Sequence, residues 1–188
     1  MRKDFGAKTW LYPMPVFIVA AYDENGRPNA MNAAWGGIYT DDVVGICLSE
    51  GHKTTRNILA TRAFTVSMGT ADFVTACDYL GIVSGNHEAD KLEKAGFHTR
   101  KSEHVNAPII EELPMTLECE LVSYDPDTCH LTGRIVNVSA AEEILDENGQ
   151  IDPALLKPIT FDPINHHYLV LGEKVGNAFA DGKKLKEK

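Results

Sequence analysis

The segment SEGHKTTRN, residues 49–57, concentrates groups that could bind an anion. Free backbone N–H groups and the helix dipole favour negative charge where a helix begins, and hydroxyl, amide and ammonium groups here add further donors. The segment therefore predicts a site for a phosphate monoester, although the GxxxxGK[ST] spacing of a Walker loop is absent. The alternative is a surface helix with a Ser or Thr cap and a solvated lysine. The candidate ligands are Ser49, Lys53, Thr54, Thr55 and Asn57.

A second segment, NAMNAAWGGI at residues 29–38, is small, uncharged and rich in amides. A strand of Ala and Gly lets a flat ligand approach the backbone, while Asn29 and Asn32 offer donors and acceptors without charge. This combination suits a polar heteroaromatic ring. The alternative is a tightly packed inner strand in which small residues make room for a helix, with Trp35 as a core or interface ring.

Side chains for acid/base or nucleophilic catalysis do not stand out. The adjacent carboxylates of Glu111 and Glu112, and of Glu142 and Glu143, point apart. There is no GxGxxG after a strand and therefore no Rossmann signature. If the protein is an enzyme, its chemistry is expected to come from a bound cofactor.

The cysteines are widely spaced and form no CxxC pair. Because they fall within apolar or alternating runs, we interpret them as reduced core thiols, and the scattered histidines make a structural metal site unexpected. The four cysteines are Cys47, Cys77, Cys119 and Cys129.

The elements that position these segments are mostly strands. PVFIVAAY (15–22) predicts a strand buried on both faces, and DVVGICLS (42–49) and AFTVSMG (63–69) predict two more. Between the last two, Thr54 or Thr55 is expected to cap a short helix.

Two helical pieces and a hairpin follow. Asp72 is expected to cap FVTACDYLG, and Asn86 to cap HEADKLEKAG. MTLECELVSY (115–124) alternates, so it predicts a strand that the turn DPDT joins to CHLTGRIVNVSA. The residues expected to face inward are Met115, Leu117, Cys119 and Leu121, and those expected to face outward are Thr116, Glu118 and Glu120.

At least six strands with short inserted helices favour a mainly β fold with an antiparallel barrel over a βαβ architecture. The last forty or so residues, with three prolines, predict an irregular wrap over the barrel or a partner. A chain of 188 residues with 44% hydrophobic and 24% charged content fits one soluble domain spanning 1–188.

Charge and hydropathy narrow the function classes. A net charge of −9 argues against nucleic-acid binding, and the basic ending DGKKLKEK is interpreted as a solvated tail. No apolar stretch approaches the roughly 20 residues needed to cross a bilayer, and the first residues lack an apolar signal core. These features predict a cytoplasmic protein without membrane contact.

The order of these motifs resembles the flavin reductase-like, FMN-binding split-barrel family, and within it most closely the flavoredoxin group. NAMNAAW, SEGHKTTRNI, AFTVSM and DYLGIVSGNHEADKLEKAGF carry the likeness, together with the ending YLVLGEKVGNAF. The SG…DK element contributes Ser84, Gly85, Asp90 and Lys91. The likeness covers about residues 10 to 185.

This resemblance implies a homodimer with FMN held noncovalently near the subunit interface. The phosphate would be taken by Ser49, Lys53, Thr54 and Asn57, with His52 as a further neighbour. Thr55, Ser84 and Gly85 complete the candidate site. Relatives often have Thr and Ser where this chain has Asn32 and Ala34, so Ala34 would act only through its backbone. The isoalloxazine and ribityl chain would be bordered by Asn29, Ala30, Met31, Asn32, Ala33, Ala34 and Trp35.

The resemblance further implies an oxidoreductase that moves hydride or electrons between NAD(P)H or a redox protein and an acceptor through FMN. A flavin-binding storage or sensor protein without turnover is the first alternative. A different ligand is the second, such as a haem with His166 or His167 as axial ligand.

Overall fold

A computed structural model describes residues 1–186. The strands are β1 (Met14–Pro15), β2 (Phe17–Tyr22), β3 (Pro28–Ala33), β4 (Gly36–Thr40), β5 (Val43–Cys47), β6 (Ala63–Met68), β7 (Thr99–Lys101), β8 (Pro108–Ile110), β9 (Met115–Asp125), β10 (His130–Ala140), β11 (Ile159–Asp162) and β12 (His167–Val170). The α-helices are α1 (Lys53–Thr61), α2 (Val74–Ile82), α3 (Lys91–Lys94) and α4 (Pro153–Leu156). Short 3-10 helices cover Ala71–Phe73, Glu142–Ile144 and Asp181–Leu185.

The main sheet has seven strands in the order β3-β2-β6-β9-β10-β5-β4, and every neighbouring pair is antiparallel. Helix α1 connects β5 to β6, and α2 packs over β3. The prediction of a mainly β, antiparallel fold with short inserted helices is therefore confirmed.

Strand β2 lies between two hydrophobic cores. Phe17, Val19 and Ala21 point into one core, whereas Ile18 and Ala20 point into the other. Because successive side chains of a strand face opposite ways, a continuous apolar run is what burial on both faces requires. The prediction that this strand is buried on both faces is confirmed.

The β9–β10 hairpin forms as predicted, but two of its outward assignments are wrong. Thr116 and Glu118 are each only 1% exposed. The Thr116 hydroxyl pairs with the Ser67 hydroxyl at 2.8 Å, and the Glu118 carboxylate accepts hydrogen bonds from Ser102 and, at 2.7 Å, from Asn137. These partners come from other elements, so the face that alternation assigns to solvent is covered and its polar groups are satisfied.

Two of the four cysteines depart from the expectation of core thiols. Cys77 and Cys119 are buried, but Cys47 is exposed and Cys129 is half-buried, and all four are free thiols. Cys47 is the last residue of β5, and Cys129 adopts φ 57° in the turn that leads into β10. Cys47 therefore lies at the end of an apolar run and Cys129 in a turn, and neither thiol is fully covered by the sheet.

Two predicted helix caps are wrong. Asp72 lies inside the 3-10 turn before α2, whose N-cap is Phe73, and neither helix end has a side-chain cap. Asn86 is also not a cap, because α3 begins four residues after His87, with Asp90 as N-cap. Asn86 instead donates through Nδ2 to the Gly51 carbonyl at 3.0 Å. Its side chain is therefore engaged by the loop before α1.

The C-terminal region is more regular than the predicted irregular wrap. Strands β1, β11 and β12 form a second antiparallel sheet, in which Met14 pairs with Phe161 and Pro15 with Thr160. Local sequence patterns could not predict this pairing, because β1 and β11 are far apart in the chain. Of the basic tail, Lys183, Lys184 and Lys186 are exposed, and its last two residues lie outside the described part of the chain.

Within residues 1–186, no helix combines the length and apolar character that a membrane span requires. The same residues contain no group of three or more His, Cys, Asp and Glu side chains placed to hold a metal ion. His166 and His167 are both exposed, and the His166 ring stacks on Phe161 with centroids 6.3 Å apart.

Candidate functional site

A cleft lies where β3, the N-terminus of α1 and the loop after α2 meet. Its volume is about 160 Å³. Residues from both segments singled out from the sequence line it. Its lining residues are Asn29, Met31, Asn32, His52, Lys53, Thr54, Leu80, Gly81, Ile82, Val83, Ser84, Gly85 and Lys91.

The N-terminus of α1 is open toward this cleft. His52 is the N-cap, but its side chain makes no capping hydrogen bond, and the expected cap by Thr54 or Thr55 is wrong because both belong to the first turn. The first backbone N–H groups of an α-helix have no acceptor within the helix, and the dipole places partial positive charge there. An anion is therefore the natural partner of this helix end.

Lys53 adds a cation at the same position. Its ammonium is 4.0 Å from the Asp23 carboxylate, and both side chains are partly exposed. An ion pair at this distance and exposure is weak. The lysine can therefore turn toward an anion in the cleft at little cost.

A tight contact joins β3 to α1. The Asn29 amide donates to the Thr54 hydroxyl at 2.6 Å, and Asn29 is only 4% exposed. Gly85 packs against the other side of the same amide, since a Cβ on Gly85 would lie 2.1 Å from Asn29 Oδ1. The glycine is required by this close approach, and the three residues fix the width of the cleft.

Lys91 forms the floor of the cleft and is only 2% exposed. Its Nζ donates to the carbonyls of Leu80 at 3.1 Å and Val83 at 2.8 Å, at the C-terminal end of α2. Burial lowers the pKa of Lys91 to about 8. An ammonium has three donors, so one remains for a ligand.

His52 lies near two cations, Lys91 and Arg56. Burial, followed by the charges of Lys91 and Arg56, lowers the pKa of His52. At neutral pH the imidazole is therefore uncharged, and it contributes a hydrogen-bonding group at the helix end. The positive charge of the cleft then comes from the two lysines.

Two grooves continue the cleft at its ends. The first contains Arg56, whose guanidinium donates to the Gly51 carbonyl at 3.0 Å and also to the Asn86 amide oxygen. These bonds tie the loop before α1 to the loop after α2. The second groove shares Asn32, Gly81 and Ile82 with the cleft and is otherwise lined by Val16, Ala34, Asp78, Phe161 and Tyr168.

The structure brings most of the predicted site residues together. Eight line the cleft itself: Asn29, Met31, Asn32, His52, Lys53, Thr54, Ser84 and Gly85. Asn57 and Ala34 line the two adjoining grooves. The remaining five lie elsewhere: Ala30, Ala33 and Thr55 are buried, and Ser49 and Trp35 are exposed outside the cleft.

Trp35 belongs to an exposed apolar surface at the sheet edge. Strand β4 is the last strand of the seven-stranded sheet, and Trp35, Ile38 and Tyr39 are 56%, 70% and 62% exposed. Large apolar side chains grouped on an edge strand mark a contact surface. We call these three residues the β4 edge surface. Of the two alternatives for Trp35, the structure excludes a ring buried in this chain's core.

Sequence patterns alone missed several cleft residues. Lys91 had been noted only within the SG…DK element, and its burial gave no local signal. Asp78 lies on a helix and Tyr168 on a strand 90 positions later, yet their side chains meet at 2.7 Å. Only the fold brings such residues together.

Comparisons with known proteins agree with this architecture. Residues 9–165 match the family model described as "Flavin reductase like domain". A flavoredoxin of Desulfovibrio vulgaris (Miyazaki F) is 36% identical, with 97% of this chain and 100% of that chain covered and a TM-score of 0.92. A flavoredoxin from Methanosarcina acetivorans is 25% identical, with 98% and 99% covered and a TM-score of 0.88. An FMN-binding domain of a flavin reductases-like enzyme from Shewanella baltica OS155, 18% identical, shares the fold, with 87% and 88% covered and a TM-score of 0.75.

Proposed function

The chain belongs to the flavin reductase-like family, and on this basis we propose that it is an oxidoreductase that works through bound FMN. The family membership and the flavoredoxin likeness confirm the resemblance found in the sequence and the split-barrel fold. Hydride or electrons would pass from NAD(P)H or a redox protein to an acceptor.

One observation carries this proposal: the uncapped N-terminus of α1 lines the same cleft as the uncharged side-chain amides of Asn29 and Asn32. We call these two amides the amide wall. FMN has a phosphate at one end and a flat, polar ring at the other. The α1 N-terminus, Lys53 and Lys91 suit the phosphate, whereas Asn29 and Asn32 suit a ring that carries donors and acceptors but no fixed charge.

The glycines of the cleft support the same assignment. A Cβ on Gly81 would lie 3.2 Å from Asn32 Cβ, and a Cβ on Gly85 would overlap the Asn29 amide. A side chain at Gly85 would force a shift, and one at Gly81 would be tight. The backbone at the end of α2 and just after it therefore lies close against the amides of Asn29 and Asn32.

The cleft of about 160 Å³ is smaller than the roughly 300–1,000 Å³ of ordinary ligand sites. FMN would therefore extend into the adjoining groove beside Ala34 and would need a further covering surface. We propose that a second copy of the chain supplies it through the β4 edge surface of Trp35, Ile38 and Tyr39. This assigns a homodimer with the cofactor near its interface.

Bound FMN would supply the hydride and electron chemistry at its ring. The protein's own residues bind and orient. Lys53, Lys91 and the α1 amides would hold the phosphate, and Asn29 and Asn32 would set the position of the ring edge. No side chain in this arrangement needs to act as a general acid or base.

The first test is spectroscopic. We expect the protein to bind FMN, with quenched flavin fluorescence, and the flavin absorbance to bleach on anaerobic mixing with NADH or NADPH. Failure to bind FMN would refute the proposal. Bleaching by dithionite alone would leave electron transfer or storage of flavin as the function and would exclude direct oxidation of the nicotinamide.

A second test separates the phosphate from the ring. Lys53→Ala should weaken FMN more than riboflavin, since only FMN carries the phosphate. Lys101→Ala, an exposed lysine of β7 outside the cleft, is the matched control and should leave both affinities unchanged. Equal losses for FMN and riboflavin in Lys53→Ala would contradict the phosphate assignment.

A further inference from the structure

A carboxylate lies in the groove that continues the cleft beyond Asn32. Asp78, in the middle of α2, is half-buried and lines this groove together with Ala34 and Tyr168. The Tyr168 hydroxyl donates to Asp78 Oδ1 at 2.7 Å. Burial and the Asp78 carboxylate both raise the pKa of Tyr168, so its hydroxyl keeps the proton that this bond requires. Within residues 1–186, Asp78 Oδ2 accepts no hydrogen bond, so one oxygen of the carboxylate remains free.

This carboxylate has no direct counter-ion in the described part of the chain. None of residues 1–186 places a Lys, Arg or His nitrogen within 4.0 Å of the Asp78 carboxylate. Its hydrogen-bond partner, the Tyr168 phenol, is uncharged. An aspartate carboxylate is ionised at neutral pH, and a partly buried charge is screened less than one at the open surface. Asp78 therefore makes the groove negative.

The cleft and the groove have opposite charges and are continuous. The N-terminus of α1, Lys53 and Lys91 make the cleft positive, whereas Asp78 makes the groove negative. Asn32 and Gly81 line both spaces. A phosphate is attracted to the first and repelled from the second. Bound FMN would therefore place its phosphate in the cleft and its uncharged ring in the groove, beside Asp78.

We propose that Asp78 makes the midpoint potential of bound FMN more negative by placing an anion without a counter-ion beside the ring. This inference rests on the proposed binding of FMN. The oxidised ring is uncharged. When the ring takes up two electrons and one proton, as a hydride from NAD(P)H or as electrons from a redox protein with a proton from solvent, it gains one negative charge. The Asp78 carboxylate repels that charge and so destabilises the reduced form more than the oxidised form.

The first measurement uses Asp78→Asn, which removes the charge and keeps both the side-chain shape and an acceptor for Tyr168. Two unit charges about 10 Å apart, at an effective dielectric constant of about 20, change an equilibrium constant roughly tenfold. Relative to oxidised FMN, reduced FMN should therefore bind the variant about tenfold more tightly than it binds the wild-type protein. The phosphate is present in both forms, so its own repulsion by Asp78 cancels in this comparison. For a two-electron couple, the midpoint potential becomes more positive by about 30 mV.

The two readouts are the dissociation constant of oxidised FMN, from fluorescence quenching, and the midpoint potential of bound FMN, measured anaerobically against a reference dye. Asp72→Asn is the matched control, because it removes the same charge outside the cleft and the groove. Asp72 lies in the 3-10 helix before α2 and forms an exposed ion pair with Lys157 at 3.4 Å. This control should change the ratio of the two FMN affinities by less than about twofold.

An unchanged or more negative midpoint potential in a folded Asp78→Asn protein would overturn the proposal. A purely structural role of Asp78 gives the unchanged value, because it weakens oxidised and reduced FMN alike. Circular dichroism and the unfolding temperature establish that the variant is folded. If it is not, Asp78→Ser also removes the charge and retains an oxygen acceptor, and the same two readouts apply. Failure of wild-type protein to bind FMN would instead refute the proposed function, so the two failures are distinguishable.

Discussion

Gly85→Ala tests whether the contact between the loop after α2 and the amide wall sets the shape of the cleft. A Cβ at this position would lie 2.1 Å from Asn29 Oδ1 and 2.9 Å from Asn29 Cγ. The amide would have to withdraw by about 1 Å or more to reach van der Waals contact. It cannot do so freely, because Asn29 is buried and its Nδ2 is bound to Thr54 at 2.6 Å.

The cost follows from these contacts. Forcing an extra methyl group into a packed region destabilises a protein by about 1–3 kcal/mol, and loss of the Asn29–Thr54 hydrogen bond adds about 1 kcal/mol. We therefore expect the free energy of unfolding to fall by about 3 kcal/mol. For a chain of this size the unfolding temperature should drop by roughly 6–12 °C.

The assay is thermal unfolding of the apoprotein together with an FMN titration. FMN affinity should also fall, since the displaced amide narrows the cleft. Gly172→Ala is the control, because a Cβ there meets nothing within 4 Å. A Gly85→Ala protein with the wild-type unfolding temperature and the wild-type FMN affinity would refute the reasoning.

Three further outcomes follow from burial and exposure. Because burial lowers the pKa of Lys91 to about 8, this lysine binds more protons in the unfolded chain above that pH. The stability of the apoprotein in urea, measured relative to Lys91→Gln, should therefore rise between pH 8 and 10, and the raised pKa values of the buried thiols of Cys77 and Cys119, which act in the opposite direction, affect both proteins alike. Cys47 should react with a thiol reagent in the folded protein, whereas Cys77 and Cys119, whose pKa values burial raises to about 11 and about 12, should react only after unfolding; labelling of all four at one rate would contradict this. Ile38→Asp should convert the proposed dimer to monomer in sedimentation analysis and weaken FMN, and an unchanged mass would exclude the β4 edge surface as the interface.

Local patterns predicted the elements whose environment is local in sequence. The apolar run of β2 predicted a strand buried on both faces, and the turn between β9 and β10 predicted the hairpin. Patterns failed where a distant partner decides burial. Thr116 and Glu118 alternate as solvent-facing residues should, yet Ser67, Ser102 and Asn137 meet them and satisfy their polar groups.

In the candidate site, too, features formed by neighbouring residues were predicted and those formed by distant residues were not. Both main segments were identified because their amides, hydroxyls and lysine are consecutive in sequence. The cap by Thr54 or Thr55 was wrong, since propensity for a helix start does not reveal that these residues are buried against β2 and β3. The groove beyond Asn32 was missed because Asp78 and Tyr168 are far apart in the chain and neither belongs to a motif.

The pairing of β1 with β11 has a consequence for how the protein becomes functional in the cell. All seven strands of the main sheet lie before residue 141, so no later residue is needed to complete that sheet or the open end of α1. Met14 can pair with Phe161, and Asp78 can accept the hydrogen bond of Tyr168, only after the C-terminal strands have been synthesised. Contacts over such long separations form late in folding. We therefore expect the part of the cleft at the α1 N-terminus to form before the adjoining groove, which is completed only when β12 is in place.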